Sequence, residues 1–235
     1  MGDPPASVLC VCTANVCRSP AAELLLRAGL RSRLGEAADE QVVVASAGTW
    51  ATPRRPVEPG TAAALRRAGV GAGEVAAAVS TRLTQAAIVG ADLVIASTAE
   101  HVRAVWRYQL AARHRTFALG ELVRLSEVVR EDDLPAADAD AGARLRALVA
   151  RASALREERH VPGTPYVTEA YDLVDPTDND PAQRDMVAQT AGWVDLLLDV
   201  VAGPAPARRT VRDRVPGVAR ALQWSRHRAA RGAIR

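Results

Sequence analysis

Lysine is absent from this 235-residue chain, so its 30 basic residues are all arginine. With the abundance of alanine, this reads as a coding bias toward GC-rich codons and carries no functional signal. Aromatic residues make up only 3% of the chain, against 49% apolar residues overall. A core of real size is therefore possible, but it must rest on Ala, Val and Leu. Cysteine is scarce as well. Cys10, Cys12 and Cys17 crowd into one short stretch, and no disulfide framework can be built from that spacing. His101, His114, His160 and His227 are scattered without metal-ligand spacing, so no metal is expected. No apolar run approaches the ~18–20 residues of a membrane span. The stretch from Met1 to Pro5 has neither a basic region nor a long apolar run, so no secretory signal is expected and the cytoplasm is the expected compartment.

Charge is present but unevenly spread. From Gly203 onward nine arginines face the single acid Asp213, so that tail carries +8 and the rest, by difference from the net +3, about −5. The expected organisation is one domain over 1–203, with an insertion near 125–165, followed by a basic extension over 204–235. The extension is read as a solvated or packed tail, with Trp224 able to dock, in preference to a surface for nucleic acid or another anionic partner.

Apolar runs alternate with helix-like segments. Ser7–Val11, Gln41–Ala45, Asp92–Ala96 and Thr116–Ala118 read as strands. Between and after them, 20–30, 60–68, 83–89, 98–113, 122–129, 141–159 and 181–200 read as helices. This alternation is the pattern of a parallel sheet with crossover helices, an α/β fold. In such sheets the site lies beyond the carboxyl ends of the strands. That edge would gather the turn after Val11, the polar stretch Ser46-Ala-Gly-Thr49 and the turn after Ala96.

The turn after Val11 holds the chemistry. Cys12 is followed by five residues, then Arg18, Ser19 and Pro20, at the start of a helix. A thiol near its reference pKa of ~8.5 is mostly protonated at neutral pH, and the thiolate is the nucleophile. The positive end of the following helix and the fixed charge of Arg18 both favour the thiolate. Backbone N–H groups of Thr13, Ala14, Asn15, Val16, Cys17 and Arg18 can converge on a tetrahedral oxyanion. Asn15 can hold a left-handed backbone and tie the loop to a neighbour. Ser19 can donate to the sulfur, and also suits the N-cap position ahead of Pro20.

The run Val8-Leu-Cys-Val-Cys-Thr-Ala-Asn-Val-Cys-Arg-Ser-Pro-Ala-Ala-Glu23 closely resembles the N-terminus of the low-molecular-weight protein tyrosine phosphatases. The resemblance extends through Ser46-Ala-Gly-Thr49 and Ala91-Asp-Leu-Val-Ile95 to Asp175-Pro176. It leaves out the 125–165 insertion and the tail. It implies a four-stranded parallel sheet flanked by helices, with the phosphate-binding loop after the first strand. It implies a hydrolase acting on a phosphorylated protein through a phosphocysteine intermediate on Cys12, without a cofactor. Arg18 would bind the phosphoryl group, and Asp175 would act as general acid and then general base. Asn15, Ser19 and Ser46 would shape the loop, and Cys17 could form a reversible disulfide with Cys12. Independently of the family, departure of an alkoxide-like oxygen needs a proton donor in reach. An acid on the polar loop over 173–181 can supply it, with Asp178 and Asp180 as other candidates.

The sequence departs from the family in several places. Thr177 replaces the aromatic that usually follows Asp-Pro and walls the substrate cleft. Trp50 could supply another wall, or simply pack. No histidine stands before Leu83-Thr84, so the support of the loop must differ there. Val16 is the tyrosine-phosphatase choice at its position, where relatives acting on phosphoarginine tend to have threonine. Thr13 replaces a larger apolar residue common at the rim. Two rivals remain: an arsenate reductase using an external low-molecular-weight thiol, and a phosphate-binding module with little turnover. A thioredoxin-coupled reductase would need cysteines far downstream, and none follows Cys17.

Overall fold

The computed structural model describes residues 4–136, 138–160, 165–176 and 179–205. The arginine-rich tail, including Trp224, lies outside them, as do Thr177 and Asp178. Among the described residues, no helix is long and apolar enough to cross a membrane.

Four strands form one parallel sheet: β1 (Ala6–Cys12), β2 (Val42–Gly48), β3 (Leu93–Ala96) and β4 (Thr116–Ala118), in the order β2-β1-β3-β4. Each expected strand is present. β2 runs further than its apolar core suggests, because Ser46, Ala47 and Gly48 continue the register opposite Cys10, Val11 and Cys12. The strand order reverses at β1, which puts a crevice at its carboxyl end, directly at Cys12.

Successive side chains of a strand face opposite ways, and both faces here are apolar. Val8 and Cys10 point into the larger core, with Leu93, Ile95 and Phe117. Leu9 and Val11 point into a smaller one, with Val94, Ile88 and Val105. The larger core is covered by α1 (Arg18–Leu34) and, from later in the chain, by three helices whose ranges follow. Short helices α2 (Ala38–Gln41), α3 (Pro59–Arg67) and α4 (Ala72–Ala77) lie around the β2 connection. The smaller core is covered by α5 (Gln85–Val89) and α6 (Ala99–Tyr108). α6 stops short of the expected Arg113. The backbone turns extended at Gln109 and continues as a 3-10 segment over Leu110–Arg115.

The remaining helices are α7 (Leu119–Ser126), α8 (Ala141–Glu158) and α9 (Asp180–Ala202). α8, the body of the expected insertion, is not an appendage. Leu145, Leu148, Val149 and Ala152 join the larger core. Its buried arginines are fully engaged. The guanidinium of Arg144 donates to Val200 O at 2.8 Å and to Glu131 at 2.8 Å. Arg156 donates to both carboxylate oxygens of Glu121 and to Thr116 O, and lies 3.9 Å over the ring of Phe117. Removing either cation would leave buried acceptors without a donor. Where α9 crosses α1, Gly29 faces Leu198 so closely that a Cβ would stand 2.4 Å from its Cδ1.

Candidate active site

Cys12 ends β1 and is buried. Its Sγ accepts a hydrogen bond from the backbone N–H of Asn15 at 3.3 Å and lies 2.9 Å from Ser19 Oγ. The chain then turns through Asn15, whose φ of +57° is the left-handed conformation that Asn tolerates better than most residues. Every polar group of that side chain is used. Asn15 Nδ2 donates to Ser19 Oγ and to Ser46 Oγ, each at 2.8 Å, and Oδ1 accepts from Thr81 N at 2.7 Å. Ser46 in turn donates to Glu23 Oε2 at 2.6 Å. One network, buried at Cys12, Asn15 and Ser19 and half-buried at Ser46 and Glu23, thus joins β1, α1, β2 and the segment before α5, and holds the loop under the sulfur.

This network answers the missing histidine. Ahead of Leu83 the main chain does the work: Thr81 N–H meets Asn15, and Thr81 O accepts from Gly48 N at 2.9 Å. Gly48 is where the loop crosses β2. A Cβ there would lie 2.5 Å from Thr13 O and 2.9 Å from Asn15 N, so only glycine allows the approach.

Ser19 does not cap α1. The helix begins at Arg18 with Cys17 in the cap position and no side-chain cap bond. The Ser19 hydroxyl is turned to the sulfur instead, where a thiolate is a stronger acceptor than a neutral backbone group.

Arg18 is 8% exposed at its side chain, against 77% for Asp175, and its Nη2 lies 3.1 Å from Asp175 Oδ1. The acid loop reaches this point by two anchors, one main chain to main chain and one through a side-chain carboxylate. Leu173 N donates to Ser97 O at 2.8 Å, and Asp172 Oδ1 accepts from Ala99 N at 2.6 Å, at the start of α6. Burial raises the Asp172 carboxyl above its ordinary value, with the Ala99 N–H acting in the opposite direction. Asp180 belongs to the first turn of α9, with its Oδ1 toward Gly60.

The cysteines have unlike surroundings. Burial, then the charge of Glu23, pushes the Cys10 thiol well above its ordinary value. Burial pushes Cys17 up to about 11, a hydrogen bond from Thr61 only partly opposing it. Among the three, Cys12 is the one with both a main-chain N–H and a hydroxyl at its sulfur.

At the mouth, Val16 is buried and its carbonyl accepts from Glu58 N at 2.9 Å. Thr13 is exposed, Ala14 is half-buried, and Trp50 N donates to Thr13 O at 2.9 Å. Trp50 is 75% exposed, so the packing alternative fails; its ring has the Arg82 guanidinium 5.9 Å from its centroid. Sequence reading missed His101, which lies on α6 and bonds to Thr13. Its spacing of 88 residues from Thr13 leaves no local signal.

Residues 7–135 match the model of the low molecular weight phosphotyrosine protein phosphatases. The protein-arginine-phosphatase of Bacillus subtilis is 33% identical over 116 residues, 49% of this chain and 71% of that protein. The low molecular weight protein-tyrosine-phosphatase Etp of Escherichia coli K12 is 30% identical over 122 residues, 52% of this chain and 74% of its own length. Among solved structures, the YwlE arginine phosphatase of Geobacillus stearothermophilus matches with a TM-score of 0.55 at 23% identity, over 83% of this chain and 92% of that one. A low molecular weight protein tyrosine phosphatase of T. tengcongensis also matches at 0.55, with 20% identity, over 83% and 98%. These two structural likenesses speak to the fold.

Proposed function

This chain belongs to the low molecular weight phosphotyrosine protein phosphatase family, and we propose that it hydrolyses phosphotyrosine in proteins through a phosphocysteine at Cys12. The observation that carries the residue assignments is the meeting at one point of a buried Cys12 sulfur with its donors, a buried Arg18 and the Asp175 carboxylate.

In the first step the Cys12 thiolate attacks phosphorus in line, with the phosphoryl oxygens held by loop N–H groups and by Arg18. The bond to the leaving oxygen breaks, and Asp175 delivers the proton that this oxygen needs. In the second step Asp175, now a carboxylate, takes a proton from water. The water oxygen attacks phosphorus, the S–P bond breaks and inorganic phosphate leaves. The Ser19 hydroxyl stabilises the departing thiolate. No step requires a cofactor.

Asp175 rests on Arg18, so the acid loop reaches the anion site from its anchors at Leu173 and Asp172. Phosphate must take over that contact, which leaves the carboxyl beside the leaving group. Asp178 lies outside the described residues, and Asp180 is committed to the start of α9. Trp50, exposed at the rim, serves as a cleft wall where Thr177 cannot. Buried, branched Val16 favours an aryl over a guanidino leaving group, although the B. subtilis relative is named for phosphoarginine.

A substrate panel of phosphotyrosine peptide, phosphoarginine peptide and arsenate, with Cys12→Ser as control, tests the reading. Phosphotyrosine turnover abolished by Cys12→Ser is expected. Activity that survives this substitution would sink the mechanism, and arsenate reduction without aryl phosphatase activity would move the chain to the reductases.

A further inference from the structure

We propose that His101 is a positioning residue that turns the Thr13 hydroxyl into an additional donor for the bound phosphoryl group. The inference rests on the reading of the Cys12 loop as a phosphate site.

His101 lies in the first turn of α6 and is 5% exposed. Both ring nitrogens are engaged. Nε2 lies 2.9 Å from Thr13 Oγ1, and Nδ1 lies 2.6 Å from Thr98 Oγ1. Thr98 also caps α6, its Oγ1 accepting from His101 N at 3.3 Å. Thr13 Oγ1 is within 3.5 Å of Arg18 Nη2, which donates to it. A short chain of polar groups thus runs from the helix cap to the phosphate-binding guanidinium.

The ring is held neutral. Burial first, and the nearby charge of Arg18 second, lower its pKa to about 4. A neutral imidazole has one donor and one acceptor, so two proton arrangements exist. In one, Nδ1–H donates to Thr98, and the Thr13 hydroxyl must donate to Nε2. Its proton then points away from the site. In the other, the Thr98 hydroxyl donates to Nδ1, and Nε2–H donates to Thr13 Oγ1. The Thr98 oxygen still accepts from His101 N, so the cap is undisturbed. The Thr13 proton is released toward the mouth, beside Arg18.

A dianionic phosphoryl group favours the second arrangement, because it gains a donor and meets no lone pair. The position next to the nucleophile, where an apolar rim residue would contribute only contact, then contributes a hydrogen bond to charge. Such bonds are worth more than neutral ones. The effect reaches the substrate through Thr13; the imidazole itself need not touch it.

The test uses inorganic phosphate as the probe and binding, not turnover, as the first readout. Thr13→Val keeps shape and removes the hydroxyl. His101→Leu keeps volume and removes the ring donors, and His101→Gln restores a side-chain N–H toward Thr13. Thr13→Val and His101→Leu should each weaken phosphate binding by about tenfold. The double variant should be no weaker than either single one, and His101→Gln should recover most of the loss. In 15N spectra of histidine-labelled protein with phosphate bound, His101 should carry its proton on Nε2. Unchanged phosphate binding in Thr13→Val, additive losses in the double variant, or a proton on Nδ1 with phosphate bound would each overturn the proposal. If the parent binds phosphate with this dependence but turns over no phosphoester, the hydrolase reading fails and the role of His101 stands. Turnover with a Thr13→Val variant that binds phosphate like the parent has the reverse meaning.

Discussion

The phosphate loop and the acid loop face each other across one site and are built in opposite ways. The loop from Cys12 to Ser19 is short in sequence and has its chemical groups, Cys12, Asn15, Arg18 and Ser19, buried. Each polar group of Asn15 has a partner, and Gly48 admits the backbone at a distance no other residue allows. The loop carrying Asp175 is exposed and arrives late in the chain, after α8. Two anchors, from Leu173 to Ser97 and from Asp172 to Ala99, bring it to Arg18. A group that must bind a dianion the same way each time needs the first design. In the proposed mechanism Asp175 gives up a proton, hands its contact to phosphate and then admits water, and that role needs the second. Both are joined at the start of α6, where Ala99 holds Asp172 and His101 holds Thr13.

The sharpest way to break the contrast is Arg18→Lys. It keeps the charge but loses the planar fork, and should lower kcat/KM on an aryl phosphate by about a thousandfold. Retained activity would mean that the loop N–H groups suffice. Asp175→Asn should lower kcat by about a hundredfold, within the usual range for a general acid. The loss should be larger with phenyl phosphate than with p-nitrophenyl phosphate, whose leaving group needs no proton. Equal losses would remove Asp175 from the acid role and point to another residue of the same loop.

Smaller effects separate rigidity from motion. Gly48→Ala forces a Cβ against the main chain of the phosphate loop and should destabilise the protein by about 1–3 kcal/mol. Because the clash falls on Thr13 and Asn15, weaker phosphate binding should accompany the lower unfolding midpoint. Asp172→Ala should lower global stability by only about 0.5–2 kcal/mol, as for loss of a helix-start acceptor, while slowing turnover by loosening the acid loop. Thermal unfolding beside kinetics checks both, and the two variants should separate: mainly stability and binding for Gly48, mainly kcat for Asp172.

His101 adds a pH signature. Its folded pKa, about 4, lies below the ordinary 6.5, so the unfolded chain takes up the proton first. The stability from keeping the ring neutral is complete above pH 6.5 and is lost as pH falls toward 4. His101→Gln should therefore flatten the part of the acid limb between those values. Urea unfolding of parent and variant at pH 7 and pH 4.5 measures this, and an unchanged difference in stability would mean that the native ring takes up its proton at the same pH as the unfolded one.

Much of this architecture is legible in the amino-acid order. The central strands β1 and β3 are covered on both faces and read as continuous apolar segments; β2, an edge strand with Val43 and Ala45 exposed, is marked by its valine run, and the three-residue β4 by Phe117. The left-handed Asn15 and the sulfur-directed Ser19 follow from the chemistry of the loop. The N-cap expected at Ser19 is absent, because its hydroxyl lies against the Cys12 sulfur and is not free to accept from a backbone N–H. The helix expected over 98–113 ends at Tyr108, where the chain leaves the helix at Gln109 before a helical-looking run. No sequence pattern shows that α8 is fastened into the core by Arg144 and Arg156, since buried arginines look like surface ones until their acceptors are known.

The sequence by itself determined the chemistry: a cysteine and an arginine at fixed spacing between a strand and a helix leave the backbone little choice but to wrap an oxyanion. The tertiary structure decided the rest. It replaced an absent histidine with the main chain of Thr81, brought Asp175 to Arg18 and set His101 against Thr13. Those pairings are long-range, and depend on strand order and helix packing that no local stretch encodes.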